Sequence, residues 1–192
     1  EVKTQIKQSI RGNDVYVIQD CENSTGGHSV DTNFQAAKTA LDAAWAADAH
    51  YTTLVVPSLP YARQDKKKGR EGITVARTLR EIELCNADRV ITLDVHNSAV
   101  FGALRRTKFE NLHAKRVLVG HVRGNFDLRN LAIVAPDTSA LGECASYASH
   151  LGLSDSDVAV IWKKRDYSVP NSIDKMVLIG DVEGKDILLI DD

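Results

Sequence analysis

The chain has 192 residues, 43% hydrophobic and 26% charged, with a formal net charge of −2, which suits a globular protein with one large core or two small ones. The near-neutral balance excludes a global basic field, so a nucleic-acid partner is not expected and any polyanion must be held by local clusters. Cys21, Cys85 and Cys144 form an odd set without a C-x-x-C pair, which argues against a disulfide framework or zinc site and for a reducing, cytoplasmic setting. No apolar run approaches the roughly 18 residues that span a bilayer, and no signal-peptide pattern opens the sequence.

In chain order, the turn signal Arg11-Gly12-Asn13-Asp14 introduces a β-rich run, Val15 to Gln19. A polar loop from Asp20 to Asp31 follows, and Asp31 or Thr32 can cap an alanine-rich helix reaching about Ala49. The strand Thr53 to Val56 feeds a loop, Pro60 to Gly72, that carries five cations and almost nothing apolar after Tyr61. A helix from about Thr74 to Leu84, the strand Arg89 to Leu93, a helical stretch after Lys115 and the strand Leu131 to Ala135 come next. A small-residue helix from about Ser139 to Leu151 precedes three strand candidates: Asp157 to Ile161, Lys175 to Ile179, and Asp186 to Ile190. Strands alternating with helices imply mostly parallel sheets with helices on their faces. Two such α/β units are expected, 1–114 and 115–192. The absence of an initiator Met, and an end at Asp191-Asp192 just after an apolar strand, lead us to expect a fragment.

Ligands of open α/β sheets bind beyond the carboxyl ends of strands. Four polar clusters fall there: the loop after Pro60, Asp94-Val95-His96, Asp137-Thr138-Ser139, and Asp191-Asp192. Each has a bland reading, because an Asp after a strand is often only a cap and a cationic loop is often only solvated. Four in one short chain favour a shared site. On a continuing strand Asp94 and His96 share a face, where together they can hold a divalent cation. The run Lys163-Lys164-Arg165, following a strand, is either a solvated face or a source of positive charge for a phosphoryl transition state.

Several of these stretches resemble the ribose-phosphate pyrophosphokinase (phosphoribosyl pyrophosphate synthetase) family. The strings are Pro60-Tyr61-Ala62-Arg63-Gln64-Asp65-Lys66 and Ala87 to His96, with Ser9 to Tyr16, Pro136-Asp137, Lys163-Lys164-Arg165, and Ile179 to Lys185 running into Asp191-Asp192. The resemblance runs the length of the chain in consistent order. It implies two tandem doubly wound domains of phosphoribosyltransferase-like type, mostly parallel, the second incomplete. It also implies transfer of the β,γ-diphosphate of ATP to the C1 hydroxyl of ribose 5-phosphate, with Mg²⁺. By position, Arg63, Gln64 and Asp65 match the ATP site, and His96 the Mg²⁺-ATP site. Asp137 matches a residue organising metal and pyrophosphate. Lys163 and Arg165 match the catalytic loop, and Asp191 and Asp192 the ribose 5-phosphate loop. Glu1 matches an acidic residue that reaches a neighbouring subunit's adenine pocket, which implies a homo-oligomer with a shared ATP site.

The sequence departs from the family at several points. Thr138-Ser139-Ala140 stands where small residues with two glycines are usual, Trp162 replaces an acidic or polar residue, and His113 a tyrosine. The loop after Pro60 is one residue short. Two other readings remain: a non-catalytic regulatory relative of the pyrophosphokinases, and a phosphoribosyltransferase, which does not explain the Tyr61 to Lys66 string. The fragment alone is expected to be inactive, because the ribose 5-phosphate loop stops after two residues.

Overall fold

A computed structural model describes residues 2–22, 24–67, 69–165 and 173–191, with only the backbone of Ser24, Lys164, Arg165, Ile173 and Asp174. Two compact units form, Glu1–His113 and Ala114–Asp192.

In the first unit, β1 (Asp14–Ile18), β2 (Tyr51–Val55), β3 (Arg89–Leu93) and β4 (Lys108–Leu112) make a wholly parallel sheet in the order β1-β2-β3-β4. Helix α1 (Val30–Ala46) joins β1 to β2, and α2 (Thr74–Leu84) joins β2 to β3. Right-handed crossovers that step in one direction place both helices on the same side of a sheet. Accordingly Phe34, Ala37 and Leu41 of α1 share one core with Val75, Leu79 and Ile82 of α2, over Leu54 and Val90 of the strands. Burying each of the larger side chains contributes about 1.5–3 kcal/mol. Lys38 of α1 reaches Glu81 of α2 at 2.9 Å across the same face.

The cap of α1 differs from the sequence expectation. Ser29 accepts the Thr32 N–H at 3.1 Å, so the helix starts at Val30 and Asp31 is released for other work. Strand β4 has no forerunner in the sequence reading, because Lys108-Phe109-Glu110-Asn111-Leu112 contains no β-branched residue. Tertiary pairing makes it a strand: it lies in register with β3 from Arg89 opposite Lys108 to Leu93 opposite Leu112. On the helix-covered face Phe109 stacks on Phe101 with ring centroids 3.8 Å apart.

The approach to β4 is pinned by Glu83 of α2, whose Oε1 accepts the N–H groups of Arg105, Arg106 and Thr107 at 2.9, 2.5 and 3.0 Å. These bonds hold its carboxyl below the usual value of 4.5. Lys38 and Arg77 do the same for Glu81. A carboxyl whose pKa is depressed by folding contributes stability above its unfolded pKa and loses it as pH falls through the folded value. The first unit is therefore expected to lose stability on acidification below about pH 4.5. Glu83→Gln should cost about 1–2 kcal/mol at pH 7 and blunt that acid dependence. Thermal unfolding at pH 7 and pH 4 checks both, and equal pH slopes for the two proteins would refute the assignment.

In the second unit the order is β7-β6-β5-β8, from β5 (Leu131–Ala135), β6 (Val158–Arg165), β7 (Ile173–Ile179) and β8 (Asp186–Leu189). Strands β6 and β8 flank β5 in parallel, whereas β7 returns antiparallel beside β6. Helices α3 (Lys115–Asn125) and α4 (Leu141–Leu151) pack Val119, Val122, Cys144, Tyr147 and Leu151 against Ile133 and Ala135. Lys115 joins the helices through Ser146 and Glu143 at 2.8 and 2.9 Å. The strand expected to end at Ile161 instead runs on to Arg165 and pairs with β7 from Val160–Ile179 to Arg165–Ile173. Backbone pairing across a hairpin overrides the low strand propensity of successive lysines.

Candidate functional site

The first group of candidate residues sits at the carboxyl end of the first sheet. The loop after β2 begins in the core, where Leu59 and Pro60 are buried. Tyr61 then takes a left-handed backbone, φ 62°, and turns the chain outward so that Arg63 and Gln64 are exposed. The Gln64 side chain accepts a bond from the Thr74 hydroxyl, and its carbonyl faces the Val75 N–H at 3.5 Å, at the start of α2. Asp65 accepts a bond from the Asn97 amide at 2.7 Å. That bond brings the loop after β2 against the segment after β3, which carries exposed His96. Arg63, Gln64, Asp65 and His96 thus gather on one edge of one unit.

The shared strand face expected for Asp94 and His96 does not form, because β3 stops at Leu93 and Asp94 turns left-handed at φ 43°. Three contacts hold that turn. The Asp94 N–H donates to Leu112 O at 2.9 Å and the Val95 N–H to Asn111 Oδ1 at 3.0 Å. His113 Nδ1 meets Asp94 Oδ1 at 2.9 Å. Asn111 was missed in the sequence because β4 was missed, and His113 stood out there only as a departure from the family.

The second group lies at the carboxyl end of the second sheet. From β5 the chain moves through α4 to β6 on one side, while β8 sits on the other, so strand order reverses between β5 and β8. Such a reversal opens the crevice in which α/β sheets bind ligands. Asp137 follows β5 and Asp191 follows β8. The Ile190 N–H bonds to Val134 O at 3.3 Å and keeps these two strand ends side by side. Asp137 Oδ1 accepts the N–H groups of Ser139 and Ala140 at 2.9 and 3.3 Å, and the Ser139 hydroxyl as well. Those bonds, with a smaller contribution from the Lys163 charge, lower the Asp137 pKa and keep it ionised. Extending the β5–β6 register past Ala135–Val160 sets Asp137 opposite Trp162, the neighbour of Lys163, whose charge is close enough to act on Asp137. Nearby Cys144 is fully buried, and desolvation pushes its thiol up to about 11, so it serves as core and not as a nucleophile.

Glu1 and Asp192 lie outside the described residues, and so does the Arg165 side chain. Among the described residues no group of three or more His, Cys, Asp or Glu side chains is arranged to hold a metal ion. No described helix is long and apolar enough to cross a membrane.

A family model for the N-terminal domain of ribose phosphate pyrophosphokinase matches residues 1–85. Ribose-phosphate pyrophosphokinase 2 of Saccharomyces cerevisiae is 35% identical over 193 residues, covering 100% of this chain and 58% of that protein. The ribose-phosphate pyrophosphokinase of Corynebacterium glutamicum is 33% identical over 196 residues, 57% of its length. The crystal structure of phosphoribosylpyrophosphate synthetase from Mycobacterium smegmatis matches with a TM-score of 0.83 at 26% identity, over 98% of this chain and 58% of that one. The chain therefore spans more than half, and less than two thirds, of the length of these relatives.

Proposed function

We propose that this chain, a member of the ribose-phosphate pyrophosphokinase family along its whole length, supplies the ATP site and transfer residues for making phosphoribosyl pyrophosphate and AMP from ATP and ribose 5-phosphate. What supports the proposal is that Arg63, Gln64, Asp65 and His96 in one unit, and Asp137 and Asp191 in the other, follow the carboxyl ends of strands. In the first unit, Arg63 and Gln64 are exposed beside the start of α2, which has no acidic residue in its first turn, so a polyphosphate meets cationic and dipolar partners there. In the second unit, Asp191 and Asp192 would accept hydrogen bonds from ribose hydroxyls. Lys163 would face the transferred group.

The C1 oxygen of the sugar attacks the β-phosphorus, the bond to the bridging α,β-oxygen breaks, AMP leaves, and the hydroxyl proton passes to solvent. Negative charge grows on the bridging oxygen, and a fixed ammonium would lower the energy of that state more than of the substrates.

Mg²⁺ would be the metal, with His96 in the first unit and Asp137 in the second each a candidate ligand within its own unit, and it would neutralise phosphate oxygens. The donor set fits in part. Asp137 is held ionised with Oδ2 outside its own turn, as a hard oxygen ligand must be, whereas an imidazole suits Mg²⁺ less well. Glu1 would complete the ATP site of a neighbouring subunit in a homo-oligomer working in the cytoplasm.

Incubating the native polypeptide that carries this sequence with ATP, ribose 5-phosphate and Mg²⁺ should yield AMP only when the sugar is present. ADP in its place would refute diphosphate transfer. ATP binding without any AMP would favour the non-catalytic relative.

A further inference from the structure

Helix α1 begins beside the loop after β2, and its first turns tie down two strand-end loops at once. Ser29 caps the helix, so Asp31 is not needed as the cap. Asn33 donates to Cys21 O at 3.1 Å and fastens the loop after β1. Asp31 accepts the hydroxyl of Tyr61, the residue at which the loop after β2 turns outward. A left-handed backbone is uncommon and costly for an aromatic residue, and persists only where its surroundings hold it. Buried Pro60 holds Tyr61 from the chain side, and the Gln64 N–H bonds to Tyr61 O at 3.0 Å from the other. The phenol completes the set. Beyond Asp65 the character of the loop changes: Lys66, Lys67, Gly69, Arg70 and Glu71 are all exposed.

We propose that Asp31 and Tyr61 form a latch that fixes the front half of this loop, residues 61–65, and so positions Arg63 and Gln64 for the ligand's phosphates. Neither residue need touch the ligand; both act through the loop, as positioning residues. The ligand assignment rests on the function proposed above, while the latch rests on geometry alone. The same bond helps push the Tyr61 hydroxyl up to about 12, so the phenol remains a donor throughout the working pH range.

The loop offers its own readout, because trypsin cuts after Arg63 inside the latched half and after Lys66 and Lys67 outside it. Tyr61→Phe and Asp31→Ala should each speed cleavage after Arg63 about tenfold, the factor expected for losing one hydrogen bond to a charged group. Cleavage after Lys66 and Lys67 should not change. Asp31→Asn, which keeps the acceptor oxygen, should lie between, and the double variant Tyr61→Phe with Asp31→Ala should add little to either single change. Unchanged cleavage after Arg63 overturns the latch. Equal acceleration at every tryptic site does so too, since it marks general destabilisation. In the native polypeptide the same variants should raise the KM for ATP about tenfold with a smaller change in kcat. If the unaltered protein binds no ATP, the proposed function falls, and the digestion still decides the latch.

Discussion

Replacing Lys163 with alanine is expected to lower turnover of the native polypeptide by ~10²–10³-fold while ATP affinity stays within about threefold. The asymmetry follows from where the side chain sits. Lys163 is on the part of β6 that outruns β5 and is held by pairing with Met176 of β7, beside the ionised Asp137. Under the proposed reaction a cation placed there would meet charge that develops during transfer more than charge already present on ATP, so its loss would appear in kcat before it appears in binding. Single-turnover AMP formation and an ATP titration on the same variant separate the two quantities. Matching losses in rate and affinity would mean that Lys163 only binds the nucleotide. Lys163→Arg should recover part of the rate, limited by the broader, forked guanidinium.

Gly180→Ala is expected to destabilise the second unit by about 2–4 kcal/mol, and to reduce turnover with it. Two independent reasons apply at this position. Its φ is 118°, a conformation that side-chain-bearing residues rarely adopt, and an added Cβ would lie 2.6 Å from the Cβ and 2.9 Å from the Cα of Ala159. Ala159 is fully buried on β6, so it cannot give way without moving the strand that carries Lys163. Gly184, in the same G-D-V-E-G-K string, makes a controlled comparison. It also has a positive φ, 69°, but an added Cβ meets nothing within 4 Å. Gly184→Ala should cost only about 1 kcal/mol. Equal shifts in thermal unfolding for the two variants would show that contact with Ala159 carries no weight.

The strand ends that carry the candidate residues were legible beforehand for a simple reason. The residues that bind ligands in an α/β protein follow its strands, and strands of buried character, such as Arg89 to Leu93 and Leu131 to Ala135, announce themselves by composition. Both of those strands formed with the bounds expected, and so did the helix Thr74 to Leu84. The misses share a cause as well. Strand β4 and the far half of β6 are polar segments whose conformation comes from the neighbour they pair with, and no local pattern encodes a neighbour. Because β4 was hidden, Asn111, which steadies the Asp94 turn, was hidden too. Asp31 was visible as a helix-cap candidate, but its partner lies thirty residues along the chain, and only packing of α1 beside the loop reveals it.

The sequence by itself determined the alternation of strands and helices and the residue types available at each strand end, because these depend on composition and on short-range order. Tertiary structure alone decided which strand ends lie side by side. It set Asp137 beside Lys163 and next to the end of β8, drew Asp65 to Asn97, and fastened Tyr61 to Asp31. Each of these pairs joins separate elements, and the position of one element against another is fixed by long-range strand register and core packing.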